Sequence, residues 1–74
     1  MVGAPVETYC EDQTWRNRLS GGDPLPGESA TQEAAVEAAR DEARVRGVEH
    51  VIRRADGSIA ARRRYPRTSR ELPI

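Results

Sequence analysis

Two β-capable stretches of mixed apolar and polar residues lie in the C-terminal half of the chain, one on each side of Asp56-Gly57. A period of two places successive side chains on opposite faces of a β-strand. Asp-Gly between two such stretches is a strong hairpin signal, because both residues tolerate the positive φ of a type I′ turn. We therefore predict antiparallel strands near residues 48–54 and 58–65, joined by a two-residue turn.

A turn centred on Asp56-Gly57 also fixes which side chains share a face of this second hairpin. The face expected to meet the core carries Val48, His50, Ile52, Ile59, Ala61 and Tyr65, with Arg54 and Arg63 among them. The opposite face carries Glu49, Val51, Arg53, Ala60, Arg62 and Arg64. A slip of one residue would exchange the two faces, so the pattern predicts the register as well as the pairing.

A first hairpin is predicted near residues 6–10 and 15–19. A tight turn at Asp12-Gln13 would pair Cys10 with Trp15, Thr8 with Asn17, Glu7 with Arg18 and Val6 with Leu19. Asp-Gln is a poor sequence for a type I′ turn, so a longer loop through residues 11–14 is the alternative.

A helix is predicted over residues 31–46. Small apolar residues recur there at helical spacing, namely Ala35, Val36, Ala39 and Ala43. Thr31 can cap the N-terminus, with Ser29 and Gln32 as an alternative capping box. Gly47 is placed to end the helix. The stripe is narrow and rich in alanine, so it should let the helix approach a sheet closely.

The remaining segments have no periodicity. Residues 20–30 contain two prolines and three glycines and are expected to be a plain connection from sheet to helix, with a functional loop as the alternative. Residues 66–74 are expected to form a flexible tail. The prediction is one α+β domain over residues 1–65, with ββαββ order and two hairpins in an antiparallel sheet that carries the helix on one face. The pattern does not give the strand order.

These pieces resemble a family of short bacterial domains, the domain of unknown function 2188. The resemblance rests on Trp15 in the second strand, on the helix start Thr31-Gln32-Glu33-Ala34-Ala35 with Ala38-Ala39-Arg40, and on Val51-Ile52 with Asp56-Gly57-Ser58-Ile59. It covers roughly residues 6–65 and departs at Asn17, where an apolar residue would be usual. The resemblance implies the ββαββ fold and no activity.

The residue types present argue against catalysis and metal binding. Cys10 and His50 have no third group in sight to orient a base, and one Cys with one His is not a four-ligand metal set. Gly21-Gly22 lacks the Lys-Ser/Thr of a phosphate-binding loop. A chain of 74 residues also supports only a small core. We expect no enzymatic activity and no cofactor.

Charge and edges leave two candidate functions. The net charge is zero, but an acidic N-terminal part precedes an arginine-rich C-terminal part. Arg53, Arg62 and Arg64 share the face turned away from the helix, so weak nucleic-acid binding is the alternative function. Acidic residues and few aromatics on that face argue against it. The leading hypothesis is a protein-interaction or self-associating module that uses the open sheet face or edge strands.

Location is the last expectation. The lone Cys10 suits a reducing compartment, and no apolar run approaches the ~20 residues of a membrane span. The N-terminus also lacks the features of a signal peptide. We expect a cytoplasmic protein without membrane contact.

Overall fold

A computed structural model describes residues 3–66, which form a four-stranded sheet with one helix packed on one face. The elements follow the predicted ββαββ order: β1 (Val6–Glu11), β2 (Thr14–Leu19), α1 (Gln32–Arg46), β3 (Glu49–Arg53) and β4 (Ile59–Arg64). The α+β class and the single small domain are therefore confirmed. Apart from Pro66, the predicted flexible tail lies outside the described residues.

The sheet has the strand order β2-β1-β3-β4 and is mixed. β1 pairs antiparallel with β2, and β3 pairs antiparallel with β4, as predicted. The two central strands, β1 and β3, run parallel, with Val6 beside His50 and Thr8 beside Ile52. The prediction of a purely antiparallel sheet was wrong in this respect.

The segment between β2 and α1 explains the parallel pairing. After β2 the chain turns back along the outer edge of that strand, with antiparallel bridges from Arg18 to Pro24 and from Trp15 to Ser29. The helix therefore starts at the end of the sheet where β2 began. It then runs back along the sheet to Gly47, so β3 starts at the same end as β1 and runs in the same direction.

The first hairpin has the tight turn and the register that the sequence predicts. Asp12 and Gln13 both have positive φ, 52° and 64°, as the central residues of a type I′ turn require. The pairs run from Val6 opposite Leu19 to Glu11 opposite Thr14. The longer loop through residues 11–14 does not form.

The turn of the second hairpin differs from the prediction. Only Gly57 has positive φ, and its backbone N–H donates to the Arg54 carbonyl at 2.9 Å. The Arg54 N–H donates to the Ser58 carbonyl at 2.8 Å, so three residues form the loop. The Asp56 carboxylate accepts from the Ser58 N–H at 2.9 Å. That bond favours the three-residue loop over the predicted two-residue type I′ turn.

A bulge follows from this longer loop. The predicted register is confirmed from Glu49 opposite Arg64 to Ile52 opposite Ala61, but the pairing then shifts and Arg53 lies opposite Ile59. Ala60 is the extra residue. Because the shift moves Ile59 off the inward face, this side chain is 37% exposed, and its predicted contact with the helix was wrong.

The helix begins and ends as predicted. The Thr31 side chain accepts a hydrogen bond from the Ala34 N–H at 3.2 Å, and Gly47 ends the helix with φ 68°. The buried stripe consists of Ala35, Ala39 and Ala43. Two of these alanines pack with Val6 and Val48 at the centre of the core.

The helix packs on β1, β2 and β3. Among the described residues it makes no comparable contact with β4. The predicted contact of the helix stripe with both strands of the second hairpin is thus limited to β3, whose Ile52 is buried. Tyr65 is half-buried against the core. The inward face of β4 therefore lies next to the helix and is not covered by it.

Candidate functional site

The three arginines singled out from the sequence share the outer face of the sheet, the face opposite the helix. The register places Arg62 across from Val51 and Arg64 across from Glu49, and Arg53 lies two residues beyond Val51 on β3. The structure therefore brings the three residues together on two neighbouring strands. The carboxylates beside each arginine determine whether its guanidinium is free to bind a ligand.

Arg53 is engaged with a buried carboxylate. Glu7 is only 4% exposed and accepts from Arg53 Nε at 2.8 Å and from Arg18 Nε at 2.6 Å. Burial alone would raise the pKa of Glu7, but the hydrogen bonds and charges of the two arginines outweigh burial and lower it. A second Arg53 nitrogen donates to the Gly57 carbonyl at 2.8 Å. Arg53 thus ties three segments together and has little freedom to reach a ligand.

Arg18 adds a further contact to this cluster. Its guanidinium lies 4.4 Å from the centre of the Tyr9 ring, which satisfies the geometry of a cation–π interaction. The pKa of Arg18 is raised, chiefly by its hydrogen bond with Glu7. The sequence predicted Glu7 and Arg18 to be opposite each other. It gave no sign that Arg53, on a distant strand, would share the same carboxylate.

The β4 arginines are less constrained. Arg62 lies 3.3 Å from a Glu49 carboxylate oxygen, with a side chain that is 57% exposed. Arg63 and Arg64 are exposed, and within residues 3–66 neither makes an ion pair. Arg63 lies on the inward face because it is opposite His50. The run of three arginines therefore offers positive charge on both faces of β4.

Cys10 and His50, the pair considered as a nucleophile and its base, do not come together. His50 lies beside Val6 in the parallel register, whereas Cys10 is four residues farther along β1. Cys10 is a free, half-buried thiol opposite Trp15. Within residues 3–66, no group of three or more His, Cys, Asp and Glu side chains is arranged to hold a metal ion.

His50 instead belongs to a buried polar network that crosses three strands. Asn17 Nδ2 donates to the Ala35 carbonyl at 3.0 Å, which turns the Asn17 side-chain oxygen toward Thr8. The Thr8 hydroxyl donates to that oxygen at 2.7 Å. Since its one hydrogen is used, it accepts from His50 Nε2 at 2.8 Å. The network fixes the imidazole as the tautomer protonated on Nε2.

The other imidazole nitrogen, Nδ1 of His50, is buried and has no hydrogen-bond partner among the described residues. Burial lowers the pKa of His50, and the positive charges of Arg63 and Arg40 lower it further. The histidine is therefore neutral at pH 7. An apolar residue would be usual at position 17 in the family that the sequence resembles. Asn17 instead links the helix to the network through its hydrogen bond to the Ala35 carbonyl.

The two edge strands of the sheet, β2 and β4, differ in whether a described segment covers their outer side. The outer edge of β2 is covered by the loop that follows it, through hydrogen bonds between Trp15 and Ser29 at 2.9 Å in both directions and from the Leu25 N–H to the Asn17 carbonyl at 2.9 Å. Within residues 3–66, no segment pairs with the outer edge of β4. The loop expected to be a plain connection therefore has a structural role, and β4 remains the open edge.

A shallow groove lies between the helix and β4, where the helix does not cover the sheet. Its volume is ≈ 370 Å³, and it is lined by Gln32, Glu33, Val36, Glu37, Arg40, Ile52 and Ala60. Ile52 and Ala60 form its apolar floor. The helix side carries two acidic side chains, Glu33 and Glu37, and one basic side chain, Arg40. The groove and the open edge are next to each other on β4.

Comparison with known proteins identifies a family but no relative of known activity. A family model described as "Uncharacterized protein conserved in bacteria (DUF2188)" matches residues 6–65. No curated protein and no solved structure matches the chain. In the described part of the chain, no helix is long and apolar enough to cross a membrane.

Proposed function

The chain belongs to the uncharacterised bacterial family DUF2188, and we propose that it serves as a protein-interaction or self-associating module whose β4 edge receives an additional strand. The proposal includes no enzymatic activity and no cofactor, and it places the protein in the cytoplasm. The observation that carries it is the difference between the two sheet edges.

An unpaired edge exposes a row of backbone N–H and C=O groups that can pair with another chain. Folded proteins commonly cover such an edge or place charges and bulges on it. Here the loop covers the β2 edge, whereas β4 has no covering segment within residues 3–66. Its bulge and arginines discourage unselective pairing, but its main-chain groups stay accessible to a strand of suitable charge. Six residues, Ile59–Arg64, are enough for a strand of ordinary length.

The surroundings of β4 suit a strand added there. Because the helix stops short of β4, side chains of an added strand would meet Ala60 and Ala61 rather than a packed helix face. Both of these residues are small, so they leave the groove beside Ile52 accessible from the edge. Recognition of this type takes its affinity from main-chain hydrogen bonds and its selectivity from alternate side chains.

The test is a titration of isotope-labelled protein with extended peptides of different charge, followed through backbone amide shifts. Strand addition predicts that the largest shifts and the greatest gain in amide-exchange protection fall on Ile59–Arg64. The covered strand β2 is the internal control and should change little. Shifts centred on β2, or on the helix, would contradict the proposal.

Self-association is the other form of the same proposal. Light scattering over a concentration series measures it directly, and pairing through β4 predicts concentration-dependent shifts of the same amides. A monomer at every concentration would remove this form and leave binding to another protein.

Nucleic-acid binding is the second candidate function, supported by the placement of Arg53, Arg62 and Arg64 on one face. The bonds of Arg53 with Glu7 and of Arg62 with Glu49 weigh against it, since a phosphate would have to compete with carboxylates already in place. Titration with nucleic acid at low and at physiological salt tests it. Binding through these arginines should weaken steeply with salt, and no shift at either salt would exclude this candidate.

A further inference from the structure

We propose that the strand received by β4 is an extended segment of another protein rich in Asp and Glu, and that a second copy of this chain is a poor partner. This inference rests on the proposed function, since it specifies the chemistry of the segment that the open edge accepts. Charge complementarity along β4 supports it.

The charge on β4 has one sign. Its second half is Arg62-Arg63-Arg64, and the strand contains no acidic residue. Arg62 and Arg64 point to the outer face, while Arg63 points inward beside His50. A strand laid along this edge therefore meets arginine on both of its faces, and successive acidic residues would each find a cationic neighbour. Opposite charges directly across neighbouring strands stabilise their pairing.

The nearby carboxylates leave part of this charge uncompensated. Glu49 is the acidic residue beside Arg62 and Arg64 on the outer face, and it can satisfy one of them well. Arg63 has no acidic residue across from it, because its partner on β3 is His50.

A second copy of β4 would offer no carboxylate to these arginines. Antiparallel pairing over Ile59–Arg64 places the arginines opposite Ile59, Ala60 and Ala61 of the copy, and a parallel arrangement places each arginine beside its equivalent. Like charges across strands are destabilising. Nucleic acid is also a poorer fit, because it cannot form the main-chain ladder that an open edge offers, and the outer face carries Glu7 and Glu49 beside its arginines.

The test uses the labelled full chain and four peptides of about ten residues with blocked ends, a length typical of the longest common strands. The first carries three consecutive Glu flanked by Val, so that its acidic side chains fall on both faces of the added strand. The second and third replace Glu with Gln or Lys. The fourth keeps the acidic composition but carries prolines that prevent a continuous ladder. The expected result is binding of the acidic peptide with shifts on Ile59–Arg64, and weaker binding of the other three.

Two charge-reversal variants provide a matched comparison. Arg64→Glu should lower the affinity for the acidic peptide about tenfold, since it replaces attraction by repulsion at the edge. Arg44→Glu changes the net charge equally on the last turn of the helix, and its affinity should stay within about twofold because distant surface charges are screened. The milder Arg64→Gln should give an intermediate loss. The amide spectrum of each variant checks its fold.

The outcomes separate the two proposals. Equal binding of the neutral or basic peptide at β4, or self-association through β4, would overturn the acidic preference and leave strand addition standing. Equal binding of the proline-containing acidic peptide would show attraction without strand addition and overturn both. Displacement of the acidic peptide by a single-stranded oligonucleotide that shifts the Arg53 region would favour nucleic acid instead. Absence of any shift at β4 with all four peptides would also overturn both.

Discussion

Replacement of Glu7 by Gln tests the cluster that joins the outer faces of β1, β2 and β3. The Glu7 side chain is 6% exposed, and its oxygens lie 2.6 Å from Arg18 Nε and 2.8 Å from Arg53 Nε. Gln keeps the shape and can still accept one hydrogen bond, but it removes the negative charge. The loss of stability should therefore measure the contribution of the charge, because the substitution creates no cavity.

The magnitude follows from the exposure of the partners. Removal of one member of a fully buried pair costs ~3–5 kcal/mol. Here the Arg18 and Arg53 side chains remain 41% and 31% exposed, so water can solvate the guanidinium groups left behind. We expect Glu7→Gln to lower the free energy of unfolding by about 1–2 kcal/mol. For a domain of this size that corresponds to a fall in Tm of about 4–16 °C.

The assay is thermal and denaturant unfolding at neutral and at acidic pH. Because the pKa of Glu7 is lowered in the folded state, its contribution is complete above its ordinary value of 4.5 and is lost as the pH falls through the lowered pKa. The difference between wild type and variant should therefore shrink in acid. A difference that stayed constant or grew in acid would contradict the assigned cause.

Glu11→Gln is the matched control. Glu11 lies on the same strand and face, but its side chain is 62% exposed and its oxygen is 3.8 Å from Arg16 Nε. An exposed pair of this kind should contribute less than about 1 kcal/mol. Equal losses from Glu7→Gln and Glu11→Gln would refute the argument that burial makes the Glu7 cluster important.

The remaining predictions concern the register, the buried network and its histidine. Ile52→Asp should unfold the domain, because an unpaired buried carboxylate costs more than the ~3–5 kcal/mol of net stability available to so small a core. Arg62→Ala should stay folded. Thermal melts with the opposite result would show that the strand faces are exchanged. Asn17→Leu should cost about 1–3 kcal/mol in denaturant unfolding, since it leaves the Thr8 hydroxyl without its acceptor, and an unchanged midpoint would argue against the network. The pKa of His50 is lowered from 6.5, so stability should be complete above pH 6.5 and decline as the pH falls from there toward the lowered pKa. Unfolding measured against pH should show this decline in wild type and not in His50→Gln, and equal slopes in the two proteins would refute it.

Much of the local structure could be predicted because its causes are local. Thr31 and Gly47 bound the helix through their own side chain and backbone, and both act at the predicted positions. The β-capable stretches and the turn positions predicted the four strands and the pairing of both hairpins over most of their length. The run of three arginines was correctly divided between the two faces of β4, since a strand period of two permits no other arrangement.

The turns show where local preference was insufficient. Asp12-Gln13 forms the type I′ turn despite its poor chemistry, because the pairing on either side requires a two-residue connection. Asp56-Gly57 has the better sequence but occupies a three-residue loop. The resulting bulge moved Ile59 to the surface, and no sequence pattern signalled the extra residue at Ala60. The preference of the two central residues therefore decided neither turn: the pairing of the flanking strands accompanies the first, and the Asp56–Ser58 hydrogen bond favours the loop of the second.

The candidate site was predictable only in part. Arg53, Arg62 and Arg64 share a face as expected. The ion pair between Arg53 and Glu7, however, depends on the parallel pairing of β1 and β3. Residues 46 positions apart in the sequence meet only after that pairing is made. The network of Thr8, Asn17 and His50 likewise needs three strands side by side.

The sequence by itself determined the helix, the four strands and the faces of the two hairpins except beyond the bulge at Ala60, because caps, turn signals and pairing partners act over a few neighbouring residues. The tertiary structure decided the strand order, the parallel centre of the sheet and which strands, β2 and β4, lie at its edges. The reason lies in the path of residues 20–30, which cover β2 and bring the helix back along the sheet. That path puts β3 beside β1 and leaves β4, with its three arginines, at the edge.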